Sequence, residues 1–324
     1  MKSIWSYTML FMMTVCSLSL ASCSDDDDDD NNNSTPAAYE TYAAKYQMTS
    51  NQSPYSSVEF TESGNYIIIL NNVPATNAKL MSPSVTSTIR KATLTSGFAG
   101  KLLRKAATRS QVYSPILYGT YTVDADGTYI LDGYGKVKVV QDGSGNSVSL
   151  EFTPASGETF TYTASKMNRD LNSNNTNRLC RTWDLASVQY IIRYNGQELV
   201  NLSAENMPKL YEKLMKWAED NDEEFDPSDW ESEEIIDVKQ VIFTKTGTYM
   251  VKYSNDELAI STWRWIDSNE NKLQYSWDND FDNDYNDGYV NINYKGSQLV
   301  IDETTKDEEE SFEESFFYYF NEAK

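Results

Sequence analysis

Histidine is absent from all 324 residues. That removes Ser-His-Asp and Cys-His nucleophile activation, the imidazole general base and most zinc sites, leaving catalysis with few routes. Cysteine is nearly as scarce. Cys16 and Cys23 lie within and just after an N-terminal apolar stretch, so Cys180 has no partner for a disulfide. Without an imidazole to activate it, Cys180 reads as a small buried residue at a strand start. Basic residues are outnumbered 27 to 49, for a net charge of −22, which makes nucleic acid a poor partner. Long apolar runs are missing too. The longest, Met9 to Leu20, is broken by Thr14, Ser17 and Ser19 and falls short of the ~20 residues a membrane helix needs. There is no Gly-rich phosphate loop, nucleophile elbow or Ser-x-x-Lys context, and no cofactor is expected.

The apolar stretch follows Lys2 and ends in Leu20-Ala21-Ser22-Cys23. A positive n-region, a short h-region and small residues before the cut describe a removed secretory signal over residues 1–22. The last four residues resemble the lipobox of bacterial lipoproteins, which implies that Cys23 becomes the acylated first residue, held in the outer membrane by its lipid. The other reading is an ordinary secretory signal with a chance cysteine. Asp25 to Asp30 and Asn31 to Asn33 follow. Like charges without apolar residues cannot fold, so 23–38 reads as a lipidated cysteine and an acidic tether spanning at most ~3.3 Å per residue. Cys-Ser-Asp-Asp-Asp resembles the acidic export signal of Bacteroidota lipoproteins, which implies display on the cell surface; the alternative is a periplasm-facing protein.

The body is mainly β. Period-2 alternation rich in Thr, Tyr, Val and Ile, punctuated by Gly and Asp, predicts strands at 58–61, 66–71, 117–123, 128–131, 136–140, 147–153 and 159–164. A second series is predicted at 182–194, 238–244, 248–253, 259–266, 272–277, 289–294, 298–302 and 316–320. The two series look duplicated. Val58-Glu-Phe-Thr-Glu-Ser-Gly-Asn-Tyr66 and Val241-Ile-Phe-Thr-Lys-Thr-Gly-Thr-Tyr249 share Val, Phe, Thr, Gly and Tyr at identical spacing, and Gly119-Thr-Tyr121 parallels Ser261-Thr-Trp263. These phrases resemble the lipocalin-like domains of Bacteroidota lipoproteins, which implies two antiparallel meander barrels with short helical insertions: a first repeat at 39–170 and a second at 171–324. Arg181-Thr182-Trp183 stands where such domains show Gly-Thr-Trp, and the first repeat lacks an obvious Trp strand. A β-sandwich is the alternative.

Each repeat carries an insertion. In the second, Ser203 can N-cap a helix with Met207, Leu210, Leu214 and Trp217 on one stripe. Eleven acids and no base follow between Glu219 and Asp237, whereas Ser63 to Val123 holds seven bases and no acid, with Phe98, Leu102 and Leu103 on a short helix. The two insertions either dock or remain solvated, the basic one then being able to meet lipopolysaccharide phosphates.

Three patterns could carry function. Asp282, Asp284 and Asn286 alternate as in a calcium loop, but glycine is one place late and Asn293 stands where a bidentate glutamate belongs, so the segment reads as an acidic turn with weak calcium affinity. Carboxylates abound without any being marked as a pair, which keeps a carboxylate-based hydrolase as a minor alternative. Trp263 and Trp265 share one strand face, and Leu273, Tyr275 and Trp277 a face of the next. These rings either pack the core, line a cavity or stack on sugars. The expectation is a non-enzymatic, surface-anchored lipoprotein binding a small apolar or amphipathic ligand at Trp263, Trp265, Tyr275 and Trp277; the alternative is a glycan-binding or adhesin-like accessory protein.

Overall fold

The computed structural model describes residues 39–71, 89–90, 116–141, 146–168, 171–221, 237–276, 281, 287–307 and 311–323. The readings placed on the signal, Cys23 and the tether, the basic insertion, the acidic stretch 222–236, Trp277 and the calcium candidates Asp282, Asp284 and Asn286 lie outside them.

In the first repeat the strands are β1 (Ala44–Met48), β2 (Tyr55–Phe60), β3 (Asn65–Leu70), β4 (Ile89–Arg90), β5 (Ile116–Val123), β6 (Tyr129–Leu131), β7 (Gly135–Gln141), β8 (Ser147–Pro154) and β9 (Phe160–Lys166). Pairing of β1 with β9 and of β3 with β5 closes eight of them into an antiparallel barrel, with β4 appended to β5. In the second repeat, helix α1 (Asn174–Leu179) precedes β10 (Thr182–Tyr194) and β11 (Gln197–Ala204), and helix α2 (Met207–Asp220) precedes β12 (Val238–Phe243), β13 (Thr248–Tyr253), β14 (Leu258–Trp265), β15 (Lys272–Ser276), β16 (Asp287–Lys295), β17 (Gln298–Asp307) and β18 (Phe312–Glu322). Here β10 pairs with both β12 and β18, closing a second eight-stranded barrel, with β11 bonded to the far half of β10. Closure removes the sheet edges, so the architecture is two lipocalin-like meander barrels and not a sandwich.

The duplication is visible atom by atom. In both β2–β3 and β12–β13 the turn glycine has positive φ, 76° at Gly64 and 80° at Gly247. The Thr61 and Thr244 hydroxyls each accept from the backbone N–H four residues on, at 3.0 and 3.2 Å. The Tyr121 hydroxyl donates to the Thr61 carbonyl at 3.0 Å, and the Trp263 indole N–H donates to the equivalent Thr244 carbonyl at 3.1 Å.

Three strands escaped the pattern: β1, the two-residue β4 and β11. Ala44-Lys-Tyr-Gln-Met48 is too short and polar to show alternation, yet β1 is the counterpart of the Trp strand: Lys45 pairs with Glu59 as Thr182 pairs with Ile242, which puts Tyr46 at the Trp183 position. Strand β11 has only Val200 and Ala204 buried. The helix cap is also corrected. Asn206, not Ser203, caps α2, its side chain accepting from Lys209 N at 3.0 Å, because Ser203 is still paired in β11. Met207, Leu210 and Leu214 are buried as the stripe requires, while Trp217 is half-buried and Ala218 completes the face.

Both barrels belong to one compact unit. Outward-facing Ile67, Ile116 and Tyr118 of the first pack with Ile242, Met250 and Leu258 of the second. Around this patch the Glu59 carboxylate accepts from the Thr246 and Thr248 hydroxyls at 2.5 and 2.6 Å, and Tyr118 donates to Gln240 at 3.0 Å.

Candidate functional site

Tyrosine and phenylalanine fill the first barrel. Phe152 stacks on Tyr55 at 4.2 Å, and the Tyr55 and Tyr134 hydroxyls share a hydrogen bond of 2.6 Å, so the aromatic interior satisfies its own polar atoms.

The two ends of the second barrel differ. One is closed by α1, which Ser173 N-caps, its hydroxyl accepting from Thr176 N at 3.0 Å. There the Trp183 indole donates to the Leu179 carbonyl and the Trp265 indole to Thr176 Oγ1, both at 2.9 Å, and the Arg178 guanidinium lies 3.7 Å over the Tyr294 ring. Cys180, buried, caps this helix just before β10.

Trp263, Trp265 and Tyr275 do share one interior wall, since β14 and β15 pair Trp263 with Tyr275 and Trp265 with Leu273. Their surroundings diverge. Trp263, 2% exposed, sits edge-on to Phe243 at 5.9 Å and to Trp265 at 5.3 Å within the packed core. Trp265 is half-buried against α1. Tyr275 alone of the three extends away from that end, its hydroxyl donating to Glu303 Oε1 at 2.9 Å. The hydroxyl crosses directly over Gly288, where any Cβ would collide with it.

Glu303 and Glu314 are the functional candidates that the strand pattern missed. Tyr318 lies against the Glu303 carboxylate, and Tyr190 donates to Glu314 Oε1 at 2.5 Å. Burial, then the carboxylates, push both phenols up from their ordinary value, so they stay protonated and donate. Both carboxylates project inward by strand parity. Leu299, Ile301 and Glu303 alternate along β17, and Phe320, Tyr318, Phe316 and Glu314 along β18. Continuing the alternation past Asp302 and back before Phe316 would have found them; strands bounded at Asp302 and Phe316 left them in loops.

The first barrel serves as an internal control. Gly135 faces Leu131 as Gly288 faces Tyr275, and Val137 faces Phe152, the position that Glu303 takes when the β16–β17 register is continued one residue beyond Asn291 and Asp302. The carboxylate therefore replaces a stacked phenylalanine. A charged group costs stability inside a barrel unless hydrogen-bonded, and here tyrosines supply the donors.

Beyond Glu314, the ends of β10, β17 and β18 border an open groove of about 480 Å³ lined by Arg193, Asn195, Gly196, Lys306, Ser311, Phe312 and Glu313. Arg193 and Lys306 lie 2.5 and 2.8 Å from Glu313 and hold its carboxyl below the usual range through their hydrogen bonds. No group of three or more metal-ligating side chains is present among the described residues.

Fold and interior define a class: a tandem of lipocalin-like barrels in which one interior carries hydrogen-bonded carboxylates. No protein-family description and no curated relative matches the chain.

Proposed function

We propose that this chain is a lipid-anchored, non-enzymatic binding protein whose second barrel receives a small amphipathic molecule, the apolar part against its aromatic interior and a donor or cationic head at Glu303 and Glu314. One observation carries the reading: Glu303 stands where the first barrel has Phe152 in a closed aromatic stack. A stable barrel needs no carboxylate there; a ligand head does. Attachment through Cys23 and an acidic tether belongs to the same proposal, with the body facing the medium. Digestion of intact cells by an added protease tests that part, a protected body being the result that would overturn it.

The binding test is a calorimetric titration with dodecylammonium and with dodecanoate. Dodecylammonium should bind and dodecanoate should not. Glu303→Gln, which keeps an acceptor for Tyr275, should weaken dodecylammonium about ten- to hundredfold, the equivalent of a hydrogen bond to a charged group at ~1.5–3 kcal/mol. Equal binding of both amphiphiles, or an indifferent variant, would remove the carboxylate from the reading.

Glycan binding is the second reading, and Tyr289 favours it. Its ring is 50% exposed on the outer face, Lys272 lies 5.5 Å over it, and Gln274 donates to its hydroxyl at 3.3 Å. Saturable binding of a soluble polysaccharide, lost in Tyr289→Ala and kept in Glu303→Gln, would establish that function instead.

A further inference from the structure

The surface joining the barrels is built from the repeated hairpins themselves. Aligning Val58–Tyr66 with Val241–Tyr249 makes Glu59 equivalent to Ile242, Glu62 to Lys245 and Asn65 to Thr248, and the strand registers extend this to Lys45 with Thr182, Ile67 with Met250, Tyr118 with Ile260 and Ile116 with Leu258. Contacts across the junction obey the same exchange. Lys45 Nζ donates to Thr248 Oγ1 at 2.7 Å, and Thr182 Oγ1 donates to Asn65 Oδ1 at 2.9 Å: one contact, made in both directions. The apolar patch repeats it, with Ile67, Ile116 and Tyr118 meeting their counterparts Met250, Leu258 and Ile260. Such reciprocity is the signature of an isologous interface, in which each surface fits a copy of itself.

At its centre the two equivalent residues meet, and there the copies differ in charge. Lys245 N–H donates to Glu62 Oε1 at 3.4 Å, and Lys245 Nζ lies 2.8 Å from Glu40 Oε1, with the lysine side chain only 7% exposed. Beside them the buried Glu59 carboxylate is 3.6 Å from Lys45 Nζ. Pairing the first barrel with another first barrel would bring two copies each of Glu40, Glu59 and Glu62 together with only two Lys45. Pairing the second with itself would bring two Lys245 ammoniums together without the Glu59 and Glu62 carboxylates, because Ile242 and Lys245 occupy those positions. Unpaired buried charge is strongly unfavourable, and like charges in a contact reject the wrong partner.

We infer that this junction is a self-complementary barrel-to-barrel surface which the Glu40–Glu62–Lys245 charges have made selective: each face accepts the opposite repeat of the chain and rejects a second copy of itself. The shape of the surface supplies the attraction, and the charges choose the partner.

Charge exchange in the full chain tests this, read as the radius of gyration in solution and as the rate of proteolysis in the connection between β9 and β10. Lys245→Met, neutral and of similar length, should loosen the junction by the loss of its ion pair with Glu40. Lys245→Glu should loosen it far more, with linker cleavage at least tenfold faster than in the methionine variant and a larger radius. Exchanging the whole set, E40K/E62K/K245E, should bring the rate back below that of Lys245→Glu alone and restore the compact radius. If Lys245→Glu behaves like Lys245→Met, or the exchanged chain is no tighter than Lys245→Glu, the charges do not select and the inference fails. The methionine variant separates a lost contact from a repelled one, so instability of the charge-reversed chain by itself is decided by the comparison.

Discussion

Raising the pH from 9 to 12 is expected to unfold this protein cooperatively. Of its 23 tyrosines, many lie inside the barrels. Burial, which disfavours the phenolate, pushes Tyr55 and Tyr66 up to about 12 from an ordinary 10.0, and moves Tyr249 and Tyr318 well above it. A phenol whose folded value is raised contributes stability that is complete below pH 10, where both states are protonated, and that is lost as pH rises through the folded value, because the unfolded chain releases its proton first. For Tyr55 the two-unit rise corresponds to about 2.7 kcal/mol once the pH has passed the folded value. Tyr66, fully buried and raised as far, contributes a similar amount. A few such groups consume the ~5–15 kcal/mol by which domains are stable. Phenolate absorbance near 295 nm and the far-ultraviolet β signal should therefore change together within the pH 10–12 window. Gradual phenol titration beneath an unchanged β signal would contradict the placement of these rings inside the barrels.

Replacing Trp263 by alanine should cost about 3–5 kcal/mol of stability, the range for deleting a large buried aromatic. The indole fills space between Phe243 and Trp265, and its N–H satisfies the Thr244 carbonyl at the hairpin turn. Trp265→Ala, at a half-buried ring, should cost less. Glu303→Gln should leave the denaturation midpoint almost unchanged while altering amphiphile binding, so the two variants separate a core residue from a site residue. A Trp263→Ala protein of native stability and reduced amphiphile affinity would assign the indole to the binding surface, one of the places that ring alternation leaves open.

The contrast between Trp263 and Tyr275 shows how far alternation reads a barrel. It identifies which side chains face inward, and it was right for Trp263, Trp265 and Tyr275 on one wall. It is silent on depth along the axis. Helix α1 covers the Trp265 end, and six residues with a polar cap, Asn174–Leu179, give no amphipathic stripe to reveal that role. The same criterion, an apolar residue at every second place, ended β17 and β18 too early and concealed Glu303 and Glu314, although their parity was present in the residues throughout.

The sequence by itself determined the mainly β body, the two repeats and the near-exclusion of imidazole chemistry, because composition, period-2 alternation and a repeated turn phrase are local properties. Tertiary structure decided the rest. Closure of each sheet depends on pairing between strands far apart in the chain, β1 with β9 and β10 with β18. The second barrel's carboxylates acquire meaning only when Glu303 is set against Phe152 in the equivalent interior. The mirrored hairpins, legible as a repeat, become an interface only when Glu62 and Lys245 arrive at one point from 183 residues apart.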